Sequence, residues 1–295
     1  MKKIRNILVV MDMPRQTQTA LARAEKLAKH FGAHLHLVSF VHHDMYDQKD
    51  VFDTHQRNEI RKTLEHERGE WLQKRLRDAK MLAMDVDTEV VWERHIHEWI
   101  VDACKAERFD LVLKTANRSR TLMHMPTDWH LLRECPAPIW LASQTRGAPK
   151  PIVLATVDPT RRDRAHKALD KKVLDAATSY AKTHDAEVHI GWCVETPEVL
   201  ADLDIIDARK YEKKMLATMK PRLQELAAAF DIPAKRIHTP GGHTEKSMAG
   251  LAAQLKAELI VLGTAARTGV SGMVVGNTAE KVLSGVRCDM LTVRP

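Results

Sequence analysis

The residues that offer the most chemistry lie between Gly263 and Glu280, in the order G-T-A-A-R-T-G-V-S-G-M-V-V-G-N-T-A-E. Gly263, Gly269, Gly272 and Gly276 punctuate this stretch. Glycine lets a main chain approach a phosphate closely and turn through positive φ. The amides of such a loop, and of a helix that it opens, point at an anion and stabilise it. Thr264, Asn277 and Thr278 add side-chain donors, and Arg267 adds a charged one. The chemistry implied is retention of a phosphate-bearing ligand rather than bond breaking. The sequence has no G-x-S-x-G nucleophile turn and no G-x-x-x-x-G-K-[ST] loop, and no catalytic base stands out.

A loop of this kind needs a strand before it and a helix after it. Glu258-Leu259-Ile260-Val261-Leu262-Gly263-Thr264 supplies the strand, and a similar run occurs earlier as Asp110-Leu111-Val112-Leu113-Lys114-Thr115. Likewise Ile7-Leu8-Val9-Val10-Met11-Asp12 returns as Ile152-Val153-Leu154-Ala155-Thr156-Val157-Asp158. The offset is 146 from Asp12 to Asp158, and 149 if Lys114 is set against Gly263. Two tandem copies of one domain explain both. They span residues 1–146 and 150–295, joined by the polar, Pro- and Gly-containing segment 144–151.

Each copy alternates strand and helix. In the first copy, Ala20, Leu21, Ala24, Leu27, Ala28 and Phe31 share a helical face that Gly32 terminates. Strands are expected over 34–41, 90–92, 111–113 and 139–141. Long helices carry Leu64, Leu72 and Leu76 in the first copy and Met215, Leu223 and Leu226 in the second. Pro221 is expected to kink or split the latter. In the second copy 188–194 reads as the second strand. The alternation argues for an α/β fold, two tandem Rossmann-like domains, each a five-stranded parallel sheet with helices on both faces. Such sheets bind ligands at the carboxyl ends of their strands, where strand order reverses.

With those elements in place, the glycine stretch resembles the nucleotide-binding class of the universal stress protein family. That family's pattern is glycine, two residues, glycine, nine residues, then glycine followed by Ser or Thr. Gly263, Ala266, Gly276 and Asn277 occupy the corresponding positions, with Ala for the second glycine and Asn for the hydroxyl residue. The resemblance extends over the whole chain, through the Asp that closes the first strand of each copy, Gly276-Asn277-Thr278-Ala279-Glu280, and Arg287-Cys288-Asp289-Met290-Leu291. With Pro126-Thr127-Asp128-Trp129 in the first copy, it is similar to the two-domain members. It implies that Asp158 and Val194 contact an adenosine, that ATP or a related nucleotide is the ligand, and that Mg²⁺ would enter only with the nucleotide. It also implies a stress-response protein that is at most a weak ATPase. A fused pair forms an intramolecular pseudo-dimer, with a further homodimer left open.

The first copy lacks the glycines. Lys114 stands where the cradle would begin, and Asp128 is placed to cap the following helix with a carboxylate that would repel phosphate. The expected outcome is a degenerate site without ordinary ATP binding, in which Lys114 pairs with Asp128 or a neighbour. Lys114 and Arg118 also allow an acidic group on another ligand.

Composition bounds the rest. Apolar residues make up 44% of 295, enough for two cores, and no apolar run approaches the roughly 18 residues a membrane span needs. The start, Met1-Lys2-Lys3-Ile4-Arg5, reads as no signal peptide. Cys104, Cys135, Cys193 and Cys288 are scattered, as in reduced cytoplasmic proteins. A net charge of +7 is spread among 39 acids without a nucleic-acid motif. The histidine pairs His34/His36, His42/His43 and His95/His97 read as surface or satisfied groups, since no acid or cysteine stands near them at metal-ligand spacing. Two other function classes stay open: a scaffold or signalling protein with no occupied site, and a carrier of an amphipathic or nucleotide-linked metabolite.

Overall fold

Alternating apolar runs and amphipathic stretches become strands and helices in the order expected. The computed structural model describes residues 4–47, 51–106, 109–116, 127–143, 150–195, 207–264 and 278–295. The chain divides into two compact units, Lys2–Ala142 and Ser143–Pro295. Among the described residues no helix is long and apolar enough to cross a membrane. All four cysteines are buried and none forms a disulfide.

In the first unit, β1 (Asn6–Met11) leads to α1 (Thr19–Phe31), which stops at Gly32 in the left-handed conformation, φ 62°. β2 (His34–Val41) precedes the long α2 (Thr54–Asp78). Asp53 and Gln56 close a reciprocal capping box on α2, which satisfies amides the helix itself cannot. β3 (Val86–Trp92), α3 (Ile96–Lys105), β4 (Leu111–Thr115), α4 (Thr127–Glu134) and β5 (Ile139–Ala142) follow. The strand order is β3-β2-β1-β4-β5, all parallel. β1 is buried at every residue from Ile7 to Met11, and β4 along its whole length. Side chains alternate between the two faces of a strand, so unbroken burial means both faces are covered. In α2 only Leu72 and Leu76 are buried; Leu64 and Trp71 are half-covered.

The second unit repeats the plan. β6 (Ile152–Thr156), α5 (Arg164–His184), β7 (Glu187–Gly191), α6 (Ala208–Ala228), β8 (Ile237–His238), α7 (Thr244–Gln254), β9 (Leu259–Gly263), α8 (Thr278–Gly285) and β10 (Asp289–Val293) give the parallel order β10-β9-β6-β7-β8. Two expectations are corrected. Pro221 does not split its helix: α6 is continuous from Ala208 to Ala228 and forgoes one main-chain bond there. The second strand ends at Gly191 rather than Val194. Gly191 has no room for a side chain, because a Cβ would lie 3.0 Å from Leu154 and 3.1 Å from Met248. Beyond it Val194 makes only an isolated bridge to Gly241.

Candidate functional site

In each unit one strand lies between its two sequence-distant neighbours: β1 between β2 and β4, β6 between β7 and β9. The chain order reverses there, so the carboxyl ends of β1/β4 and of β6/β9 frame the ligand crevice of this fold class.

In the second unit, Asp158 follows β6 and remains at the rim, its side chain 49% exposed. Its Oδ1 accepts from the Thr160 amide at 3.1 Å and from the Thr160 hydroxyl, a local turn that fixes the carboxylate. Its other oxygen is 3.8 Å from Arg161 Nε. The Asp158 amide donates to Asp170 Oδ1 at 3.0 Å. Asp170, buried on α5, has its pKa pushed up to about 6, by burial foremost, with the Asp158 charge adding and the Asp158 amide opposing. Sequence reading missed Asp170; its spacing, two helical turns after the Asp163 cap, carries no mark of it.

Gly263 ends β9. A Cβ there would sit 2.7 Å from the Leu169 side chain, so close packing of α5 on the strand end demands glycine whatever the ligand. The Thr264 amide donates to Val293 O at 2.8 Å, so it extends the sheet and does not point at a ligand. Val194 is buried, its amide bonded to Pro240 O and its carbonyl to the Gly242 amide. Both main-chain groups are therefore engaged within the protein. Beside it Cys193 Sγ donates to Gly242 O at 3.2 Å, and burial raises the thiol pKa. Gly242 turns at φ 103°, and Glu195 accepts from the Thr244 amide at the start of α7. This Gly241-Gly242 turn was a second glycine signal in the sequence that went unused. Thr278 is the first residue of α8. Ala266, Arg267, Gly276 and Asn277 lie outside the described residues. Gly263, Asp158 and Val194 thus come from the ends of adjacent strands or the turns just beyond them.

In the first unit the same place is filled by charge. Lys114 Nζ lies 3.0 Å from Asp128 Oδ1 and 3.8 Å from Asp12 Oδ1, and donates to Thr115 O at 3.0 Å. The three side chains are 9%, 0% and 11% exposed. Burial raises the Asp12 pKa; the Lys114 charge and a Thr115 hydrogen bond pull it back, and Asp128 adds to the rise. Asp128 is the second residue of α4 rather than its cap, and its carboxylate turns inward to Lys114.

The register corrects the alignment. Ile7 pairs Leu111 as Val153 pairs Leu259, and Thr115 pairs Ala142 as Gly263 pairs Val293. Thr115 is therefore the counterpart of Gly263, and Lys114 that of Leu262. A one-residue slip matters because it moves a side chain to the other face of the sheet. Thr115 does not imitate a cradle either: its hydroxyl accepts from the Ala20 amide at 3.2 Å, near the start of α1. By the same register Asp128 corresponds to Ala279, which is buried and uncharged.

The strand histidines are also corrected. His34 lies 2.8 Å from Asp85, and His36 lies 2.6 Å from Asp87 and 2.8 Å from Glu89. Acidic partners do exist, delivered by parallel pairing of β2 with β3 across fifty residues of sequence.

The duplicated, doubly wound α/β domain with its crevice at the strand ends defines the class of protein. The model of the Universal stress protein family matches residues 3–143 and again 152–294, so the chain belongs to that family. Universal stress protein E of Salmonella typhi is 30% identical over 301 residues, covering 100% of this chain and 96% of the relative. Its counterpart in Escherichia coli K12 is 29% identical, covering 100% and 95%. A crystal structure of a putative universal stress protein from Pseudomonas aeruginosa UCBPP-PA14 superposes with a TM-score of 0.75 at 25% identity, over 99% of this chain and 94% of the other. Membership supports a role in the stress response.

Proposed function

We propose that the second domain binds ATP or a related nucleotide-type ligand at the carboxyl ends of β6 and β9, and that the chain serves the stress response by holding this ligand rather than by catalysis. One observation carries the reading. Where the first domain buries Lys114 and Asp128, the second has Leu262 and Ala279, so among the described residues no buried ion pair occupies the end of β9, and Asp158 stays half-exposed at the rim. The start of an eight-residue helix whose second residue is Ala279, where the first domain has the Asp128 carboxylate, suits an anion. In this reading Asp158 Oδ2 accepts from a ribose hydroxyl or an adenine amine, which its half-exposed side chain supports. Val194 enters this reading only as packing beneath the ligand, since its main-chain bonds are made elsewhere. Thr278 and, by their place in the sequence, Arg267 and Asn277 are the donors assigned to phosphate.

Isothermal titration of the full chain with ATP, ADP and AMP, with and without Mg²⁺, tests the proposal. Saturable ATP binding that Gly276→Trp abolishes is the expected result. Absence of binding by all three nucleotides overturns it and leaves a scaffold or signalling role.

A further inference from the structure

We propose that His189 and His238 form an acid-opened latch that fastens the edge strand of the second domain. Nothing in the nucleotide reading requires it. His189 lies on β7, and His238 ends β8, a strand of only two residues. Ile190 pairs Ile237 and Gly191 pairs His238. His189 Nδ1 lies 2.8 Å from His238 Nε2, with the ring planes 9° from parallel. At that distance the two nitrogens share a hydrogen bond, one protonated and the other bare. The His189 side chain is 11% exposed, which leaves little water to replace a lost partner. Main-chain bonds continue the seam beyond the latch. The Trp192 amide donates to His238 O at 3.0 Å, the Val194 amide to Pro240 O at 3.1 Å, and the Gly242 amide to Val194 O at 3.2 Å. The far end of this seam backs Val194 at the crevice, so opening the latch loosens that rim.

The proton count makes the pair sensitive to acid. Two neutral rings share one hydrogen on the line between them. One added proton fits on an outer nitrogen. A second sets N–H against N–H with two positive charges side by side, and the bond cannot form. Burial, then His238 and Arg236, lower the His189 pKa against the opposing pull of Glu187, and burial lowers that of His238. In the opened chain both rings take up protons near their ordinary 6.5. The stability of this edge is therefore full above that value and is lost as pH falls below it. Glu187 Oε2 is 3.7 Å from His189 Nε2, but Glu187 Oε1 is held by Arg236 Nη2 at 2.9 Å, just before β8. The nearby carboxylate is thus already shared with a cation. Glu212 of α6 stands against Gly241, toward the other end of the seam. The first domain makes the contrast. Leu8 pairs His36 as Leu154 pairs His189, so His36 is the counterpart. It faces Asp87 at 2.6 Å and Glu89 at 2.8 Å, where an added proton meets carboxylates rather than a second imidazole. His36 serves as the control.

The test is hydrogen–deuterium exchange of the full-length protein from about pH 7.5 to about pH 5. It is read by mass spectrometry on peptides covering residues 189–194 and 237–242 and corrected for the intrinsic pH dependence of exchange. The opening constant of the seam should be flat at the upper end and rise about 10-fold per pH unit between about pH 6 and 5, because the opened form binds about one proton more. The double variant His189→Asn/His238→Gln puts uncharged amides where the bonded nitrogens stand and should exchange without that rise. His36→Gln should leave the rise intact. Far-UV circular dichroism at neutral pH establishes that each variant is folded. Long-range proton–nitrogen NMR spectra of the imidazoles in the parent chain need no variant, and should show at most one added proton on the pair while the seam is closed. A seam whose opening ignores pH, a rise undiminished in the double variant, or both rings charged without opening overturns the proposal.

Discussion

The two domains share a strand order, a switch point and an aspartate after the first strand, yet treat that aspartate in opposite ways. Asp12 is 11% exposed and shares Lys114 with Asp128, whereas Asp158 is 49% exposed and folded into a turn with Thr160. The lesson is that a strand end in this fold can be satisfied from inside or left for a ligand, and two neighbouring positions decide which.

Breaking the internal solution should have the largest effect. Lys114→Met leaves two buried carboxylates without their cation and should destabilise the first domain by about 3–5 kcal/mol in urea denaturation. The pair Lys114→Leu with Asp128→Ala, the residues of the second domain, should recover part of that loss, because apolar replacement of a buried ion pair is often neutral while Asp12 still lacks its cation. A pair as unstable as the single variant would show that the charges do more than satisfy one another.

The second domain has its own buried acid. The Asp170 pKa, about 6 when folded, lies above its ordinary 3.8. Between those values the folded protein holds a proton that the unfolded chain has released. The stabilisation from this group is therefore full below about pH 4 and is lost as pH rises to about 6. Asp170→Asn keeps an acceptor for the Asp158 amide and should remove this slope, gaining about 1–3 kcal/mol at pH 7 in denaturation measured across a pH series. A slope unchanged by the substitution would assign it to another group.

Gly263→Ala drives a Cβ into Leu169 and should cost about 1–3 kcal/mol without any ligand present. Adding Leu169→Ala should relieve the clash, which separates the packing role of Gly263 from any phosphate role. The smallest effect is expected at the edge of the first domain. Glu89→Gln removes one partly exposed partner of His36 and should change stability by less than about 1 kcal/mol in the same assay.

Much of the architecture could be read directly. The apolar runs closed by Asp12 and Asp158 mark β1 and β6, and Gly32 marks the end of α1, because these signals act within one element. What failed to show depends on contacts between elements. Lys114 and Asp128 were named as partners, but Lys114 was set against Gly263 because the connection after the strand differs in length. β4 ends at Thr115 with α4 starting at Thr127, while β9 ends at Gly263 with α8 starting at Thr278. Only sheet pairing fixes the count. The acids facing His34 and His36, and the amide that fixes Asp170, are invisible for the same reason: each partner arrives from another strand or turn. Gly263 is a different case, since its presence was plain and its packing against Leu169 was not.

The triad of Asp12, Lys114 and Asp128 also has a historical consequence. A lineage that acquired it cannot lose the lysine first, since that exchange passes through a chain carrying two interior carboxylates without a cation. Once installed, such a cluster acts as a ratchet, and the two halves of a duplicated gene would drift apart in role even under the same selection for folding.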